Sequence, residues 1–251
     1  MKLNNKVILV TGGSTGIGKA ASRLLASQGA RVVFTGRRKS AGEACEKELQ
    51  DENLDVRYVP CDISSREQVD ELFGIIRSEY SVLHAAFNNA GIDGVKSEIL
   101  QAEQSDWDEI IAVNLTGTFM LVQRELEMML PRGEGSIVNM SSVCGTIARK
   151  GRVAYNASRH GVEAITKTAA LEYASSGIRV NAVAPGSVKT DIFLRSTGGD
   201  PKKQAMYNAG HPIGRVGEPD EIARAVLWLM TDAPDFMAGH TLMLDGGFTI
   251  Q

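Results

Sequence analysis

A chain of 251 residues with 43% hydrophobic content is long enough to bury a large core, and α/β chains of this length commonly stay undivided, so one domain over 1–251 is expected. Lys and Arg number 27 against 30 Asp and Glu, a formal charge of −3 that offers nucleic acid no basic field. No apolar run reaches about 18 residues, and the opening MKLNNKVILV runs straight into a strand pattern instead of a signal peptide, so no membrane partner and a cytoplasmic location are expected.

The first legible unit is Lys6 to Gln28. Val7 to Val10 form a continuous apolar run, the pattern of a parallel strand buried on both faces. Glycines at 12, 13, 16 and 18 then permit a sharp turn, and a helix follows with Ala20, Leu24 and Leu25 inward. Strand, glycine turn and helix N-terminus in that order make a pyrophosphate site over Gly12, Ser14, Thr15, Gly16, Ile17 and Gly18; the alternative is a ligand-free glycine connection. Further strand-like runs at Val32 to Thr35, Val56 to Val59, Leu83 to Phe87, Ser136 to Met140, Arg179 to Val183 and Thr241 to Leu244 alternate with helical patterns. That alternation predicts right-handed βαβ units and a Rossmann-like, doubly wound parallel sheet of about seven strands with helices on both faces.

The second strand ends at Gly36-Arg37-Arg38, where an adenosine ribose would lie above a pyrophosphate turn. No acid is present to hold a ribose 2′-OH, whereas arginine grips a 2′-phosphate bidentately, so NADP(H) is expected over NAD(H). The alternative is a solvated basic start to a helix. Asp62 closes the third strand, and Asp62-Ile63-Ser64-Ser65 by itself reads as ordinary helix capping. Asn114 lies inside an apolar helical stretch, where an amide must be hydrogen-bonded. Cys45, Cys61 and Cys144 and the four histidines are scattered, so neither a disulfide framework nor a metal site is expected.

The wide glycine turn Thr11-Gly12-x-x-x-Gly16-x-Gly18, the tetrapeptide Asn88-Asn89-Ala90-Gly91, the set Asn114, Ser142 and Tyr155, and the run Pro185-Gly186-x-Val188-x-Thr190 resemble the short-chain dehydrogenase/reductase family, almost end to end. The resemblance implies hydride transfer between a nicotinamide and a carbonyl or secondary alcohol. Tyr155 would be the general acid or base, Ser142 would polarise the substrate oxygen, and Asn114 would kink its helix and complete a proton relay. For the cofactor it implies Asp62 and Ile63 at the adenine, Asn89, Ala90 and Gly91 beside the dinucleotide, and Pro185, Gly186, Val188 and Thr190 at the nicotinamide. Gly36 stands where NAD-preferring relatives usually carry Asp, and Thr15 where many NADP-using relatives carry a basic residue.

Arg159 departs from the pattern: the family places Lys there. Four residues beyond Tyr155, it shares that residue's helix face. A cation about 5 Å from a phenolic oxygen favours the phenolate by roughly 3 kcal/mol at an effective dielectric near 20. Arginine supplies that charge, and its guanidinium can hydrogen-bond the nicotinamide ribose, but it does not readily release a proton. The electrostatic role is therefore expected to survive and the relay role to weaken; the alternative is an impaired dinucleotide-binding sensor or scaffold.

Met140, Cys144, Ile147, Phe193, Leu194, Met206 and Tyr207 suggest a mainly apolar pocket, for a cyclic or medium-sized ketone or alcohol in preference to a charged metabolite. Lys189 to Gly217, where periodicity lapses, is expected to be a mobile lid. Helices at Trp107 to Leu130 and Val153 to Tyr173 and the tail Phe248-Thr249-Ile250 resemble the family's assembly surfaces and imply a homotetramer.

Overall fold

Alternate side chains of the first strand feed opposite cores, which is what a sheet covered on both faces demands. In the computed structural model, which describes residues 2–251, Ile8 and Val10 pack into one apolar cluster and Val7 and Leu9 into another. The strands are β1 (Val7–Thr11), β2 (Arg31–Gly36), β3 (Val56–Pro60), β4 (Ala85–Asn88), β5 (Gly135–Met140), β6 (Ile178–Pro185) and β7 (Thr241–Leu244). They form a seven-stranded sheet, every neighbouring pair parallel, in the order β3-β2-β1-β4-β5-β6-β7. The order reverses between β1 and β4, where Leu9 pairs with Val33 on one side and Ala86 on the other. Loops leaving these two strands diverge to opposite faces and open a crevice at the carboxyl edge.

The helices are α1 (Gly16–Ser27), α2 (Lys39–Asp51), α3 (Arg66–Tyr80), α4 (Gln104–Ile110), α5 (Thr118–Met129), α6 (Val153–Tyr173), α7 (Asp191–Thr197), α8 (Pro201–Ala209) and α9 (Pro219–Thr231). Leu25 of α1, Leu49 of α2 and Val226 of α9 seal one face; Phe73 of α3, Leu121 of α5 and Ala169 of α6 seal the other. No helix among the described residues is long and apolar enough to cross a membrane.

Under β4 and β5 the second core contains a polar chain. Asn88 Nδ2 donates to Glu125 Oε2 at 3.0 Å and to Asn139 Oδ1 at 2.9 Å, and Asn139 Nδ2 donates to Thr166 Oγ1 at 2.9 Å. Burial pushes the Glu125 carboxyl up to about 8 against the opposing hydrogen bond from Asn88, so it is largely neutral at pH 7.

The sequence-predicted strands all occur, the last with the expected ends and the others with ends shifted. β4 begins at Ala85 and not Leu83, because the His84 side chain takes the adjoining partner: its Nδ1 accepts from Val7 N–H at 2.9 Å. The helix expected over Trp107 to Leu130 is α4 and α5 joined by a π-helical stretch, Ile111–Gly117, centred on Asn114. The excursion 189–217 carries more structure than its lapsed periodicity suggests. Thr190 caps α7 and Asp200 caps α8, but α8 buries none of its residues, so no amphipathic pattern marked it. Its base is closed where Lys189 N–H donates to Gly217 O and Gly217 N–H to Ser187 O, both at 2.9 Å.

Candidate active site

The crevice at the carboxyl edge is a cleft of about 540 Å³ whose walls come from the ends of β1, β2, β4, β5 and β6, the start of α6 and the excursion. Gly16 adopts φ +52°, a left-handed conformation at the start of α1, and a Cβ on Gly18 would lie 2.1 Å from the Gly12 carbonyl oxygen. Thr15, the N-cap of α1, makes no side-chain cap, so the first-turn N–H groups remain available toward the cleft. Asn89 stitches β4 to this turn, its Nδ2 donating to Thr11 O at 2.9 Å and Gly12 O at 3.2 Å. These features fit a dinucleotide pyrophosphate: a bare backbone cradle, free donors and the positive end of a helix.

Gly36, Arg37, Arg38, Asp62 and Ile63 line the end of the cleft at β2 and β3. A Cβ on Gly36 would sit 3.2 Å from Ser14 Oγ, which brings the end of β2 against the glycine turn. Arg37 reaches toward Asp62 at 4.0 Å and Glu109 at 3.9 Å, while the exposed Arg38 at the N-cap of α2 has no ion-pair partner among the described residues. Asp62 is not the helix cap: Ser65 Oγ accepts from Gln68 N–H and fills that role. Asp62 Oδ1 instead accepts from the backbone N–H and hydroxyl of Ser64, at 3.0 and 2.7 Å.

Ser142, Tyr155 and Arg159 meet at the other end. Ser142 follows β5, and its Oγ accepts from Cys144 N–H at 3.2 Å, leaving its own proton for another acceptor. Glu163 braces this turn against α6, accepting from Ser141 Oγ at 3.0 Å. Arg159 is buried; Nη1 donates to Met140 O at 2.7 Å, Nε has no partner, and Cζ lies 5.0 Å from the Tyr155 ring centroid. A Cβ on Gly91 would fall 2.6 Å from Arg159 Nη2 and 3.1 Å from Asn114 Oδ1, so the space for the guanidinium depends on a glycine there. Both ends of the Asn114 amide are taken by Ile92, Oδ1 accepting from its N–H and Nδ2 donating to its carbonyl at 2.8 Å each. The expected interruption of its helix is present as the π-helical stretch.

Pro185, Gly186, Val188 and Thr190 line the cleft beyond β6. His211, unassigned by the sequence, pins this segment: Nε2 accepts from Ser187 N–H at 3.1 Å, so Nδ1 carries the proton it shares with Tyr207 O at 2.8 Å. The apolar wall expected for substrate is present in Met140, Cys144, Phe193 and Tyr207, whereas Leu194 and Met206 are exposed and, with Ile147, do not line the cleft. Burial pushes the Cys144 thiol up, and that of Cys61 to about 12, so neither is a ready nucleophile. Arg149 and Arg152 also line the cleft, and sequence reasoning missed them. The only signal was the basic run Arg149-Lys150-x-Arg152 between Ser142 and Tyr155. Arg152 Nη1 donates to Asp93 O at 3.0 Å, and its Cζ lies 5.7 Å from the Tyr155 ring centroid.

A glycine-turn cradle at the switch point of a doubly wound sheet, with a serine, a tyrosine and a buried cation at its far end, defines a dinucleotide-dependent oxidoreductase site. Residues 12–249 match the family model described as enoyl-(acyl carrier protein) reductase. The chain is 37% identical over 248 residues to the 2,5-dichloro-2,5-cyclohexadiene-1,4-diol dehydrogenase of Sphingobium indicum (strain B90A), covering 98% of each. It is 36% identical over 248 residues to the cyclohexanol dehydrogenase of Acinetobacter sp. (strain SE19), covering 99% of this chain and 96% of that one. Among solved structures, the actinorhodin polyketide ketoreductase with NADPH superposes with a TM-score of 0.93 at 31% identity, over 97% of each chain. The chain belongs to the short-chain dehydrogenase/reductase family of NAD(P)-dependent oxidoreductases.

Proposed function

We propose that the protein interconverts a cyclic secondary alcohol and its ketone, with NADP(H) preferred over NAD(H). The observation that carries this is the meeting of Ser142, Tyr155 and Arg159 in one cleft with the glycine turn. Names of relatives that act on ring alcohols and diols support the substrate class. A bound nicotinamide supplies or accepts the hydride. Gly12 to Gly18 and the start of α1 would hold the pyrophosphate, Arg37 and Arg38 a 2′-phosphate, and Asp62, Ile63 and Asn89 to Gly91 the adenosine side. Pro185, Gly186, Val188 and Thr190 would meet the nicotinamide carboxamide.

In alcohol oxidation Ser142 donates a hydrogen bond to the substrate oxygen and Tyr155 takes the hydroxyl proton; in reduction Tyr155 returns it. Arg159, in the place where the family carries Lys, stands beside Tyr155 as a fixed positive charge and does not itself carry the proton. Asn114 holds the backbone at Ile92 and donates from Nδ2 to Ser158 Oγ at 3.4 Å.

We read the whole chain as one cytoplasmic dinucleotide-binding domain that assembles as a homotetramer through the α4–α5 and α6 surfaces and the tail Phe248-Thr249-Ile250, with the excursion 189–217 as its lid. Light scattering at micromolar concentration tests the assembly, and ligand-dependent hydrogen-exchange protection tests the lid. The functional reading is tested by assaying a panel of ring alcohols and ketones with both cofactors. Cofactor titrations should show NADP(H) tighter, and Arg37→Asp should invert the order, since one charge-assisted phosphate contact is worth about 1.5–3 kcal/mol.

A further inference from the structure

The charged side chains on the substrate side of the cleft are not equally free. Arg152 is held by Asp93. Asp191 and Arg195 are exposed on the first and last turns of α7, where each complements the dipole of its own helix. Arg149 differs from all of these. It is half-buried on the cleft wall, its guanidinium lies over Phe248 with Cζ 5.3 Å from the ring centroid, and no carboxylate or hydrogen-bond acceptor engages that guanidinium among the described residues. Its backbone is fixed, because Arg149 N–H donates to Asn156 Oδ1 at 3.3 Å and Asn156 Nδ2 returns a bond to Arg149 O at 3.0 Å.

A second donor stands close by. Lys96 Nζ donates to Tyr207 Oη at 3.3 Å, which leaves the tyrosine's own proton to donate into the cleft. Burial pushes the Tyr207 hydroxyl up, but hydrogen bonds with Lys96 and Ser196 and the fields of Lys96 and Arg149 outweigh it and lower it below the ordinary tyrosine range. The cleft lining thus includes the unpaired Arg149 guanidinium and the polarised Tyr207 hydroxyl, with the Phe193 ring edge-on to Tyr207 at 5.5 Å between centroids and Met140 and Cys144 as further apolar lining, while the lining carboxylate of Asp93 is engaged by Arg152.

Holding an unpaired guanidinium partly out of water is costly, and a ligand anion offsets that cost. A planar guanidinium fork matches the two oxygens of a carboxylate, and one guanidinium with one hydroxyl donor suits a single charge better than a phosphate dianion. We propose that the substrate is a ring alcohol bearing a carboxylate remote from its reacting hydroxyl, and that Arg149, assisted by Tyr207, receives that carboxylate. This deepens the alcohol dehydrogenase reading above, rests on it for the reacting end, and departs from the sequence expectation of an uncharged substrate because Arg149 lines the cleft.

The test uses the cofactor-loaded protein and two matched pairs. Binding is measured by calorimetry for cyclohexanecarboxylate against cyclohexanecarboxamide, and turnover for 4-hydroxycyclohexanecarboxylate against its carboxamide. The acid should be favoured by about tenfold or more in each pair, equivalent to about 1.4 kcal/mol. Arg149→Gln should abolish the preference, Arg149→Lys should retain part of it, and Lys150→Gln, which loses only a surface contact with Glu98 at 3.6 Å, should leave it intact. Equal binding of acid and amide by the wild type, or a preference that survives Arg149→Gln, overturns the proposal. If neutral ring alcohols are oxidised without any acid preference, the carboxylate site falls and the dehydrogenase reading stands. If the acid is preferred through Arg149 but no alcohol turns over, the site stands and the dehydrogenase reading falls.

Discussion

Arg159→Met removes a guanidinium whose Cζ lies 5.0 Å from the Tyr155 ring centroid while keeping an unbranched, space-filling side chain. A unit charge about 5 Å from the phenolic oxygen, at an effective dielectric near 20, would stabilise negative charge developing there by roughly 3 kcal/mol. Transition-state arithmetic turns this into a loss of roughly a hundredfold in kcat for alcohol oxidation, with KM for the alcohol little changed. Arg159→Lys keeps the charge and should hold or raise turnover. The same substitution to Met also strips Met140 O of the donor now 2.7 Å away, at a stability cost of about 1–3 kcal/mol, so melting curves must accompany the kinetics. A folded Arg159→Met protein within about fivefold of wild-type kcat would refute the electrostatic reasoning, since that residual corresponds to only about 1 kcal/mol.

Gly91→Ala should act on the same residue from the other side. Its Cβ would fall 2.6 Å from Arg159 Nη2, so kcat should drop about tenfold, and the loss should shrink in an Arg159→Lys background, where the side chain ends sooner; an equal loss in both backgrounds would refute the steric link. Glu125 sets a pH dependence of stability. Its carboxyl titrates near 8 in the fold against 4.5 when free, so the folded state holds the proton more tightly. The associated stability is fully present below about pH 4.5 and is lost toward pH 8, at about 1.4 kcal/mol per pH unit while the two states differ in protonation. Glu125→Gln should remove this slope, gaining on the wild type between pH 6 and pH 8 in denaturant titrations; parallel curves would show that the group does not titrate as described.

The sheet was legible because mostly apolar, strand-like runs alternate with helical periods, and a doubly wound fold leaves few other ways to bury Ile8, Leu9 and Val10 on both faces. The glycine turn was legible for a local reason: strand, turn and helix start are contiguous in sequence. What the sequence concealed arises between distant segments. The ladder through Asn88, Glu125, Asn139 and Thr166 joins four elements, and no single stretch distinguishes Glu125 from a surface acid. His211 looked like a stray histidine until its ring bridged Ser187 and Tyr207. Arg149 and Arg152 drew no reading from the sequence; the first lies over Phe248 and the second beside Asp93, contacts of about 100 and 59 positions' separation that periodicity does not encode. Asn114 was singled out as an amide needing partners, but that its closest partners would be the backbone of Ile92, with Ser158 Oγ farther at 3.4 Å, depended on how the loop after β4 folds back.

The most direct test of the account is hydride transfer itself, followed through nicotinamide absorbance with a panel of ring alcohols and ketones, NADP(H) and NAD(H) in parallel, for the wild type and Tyr155→Phe. Turnover of at least one ring substrate by the wild type is expected, with a loss of about a thousandfold in Tyr155→Phe while cofactor binding persists. A wild type that binds the cofactor yet transfers no hydride to or from any member of the panel, or a Tyr155→Phe variant as fast as wild type, would contradict it.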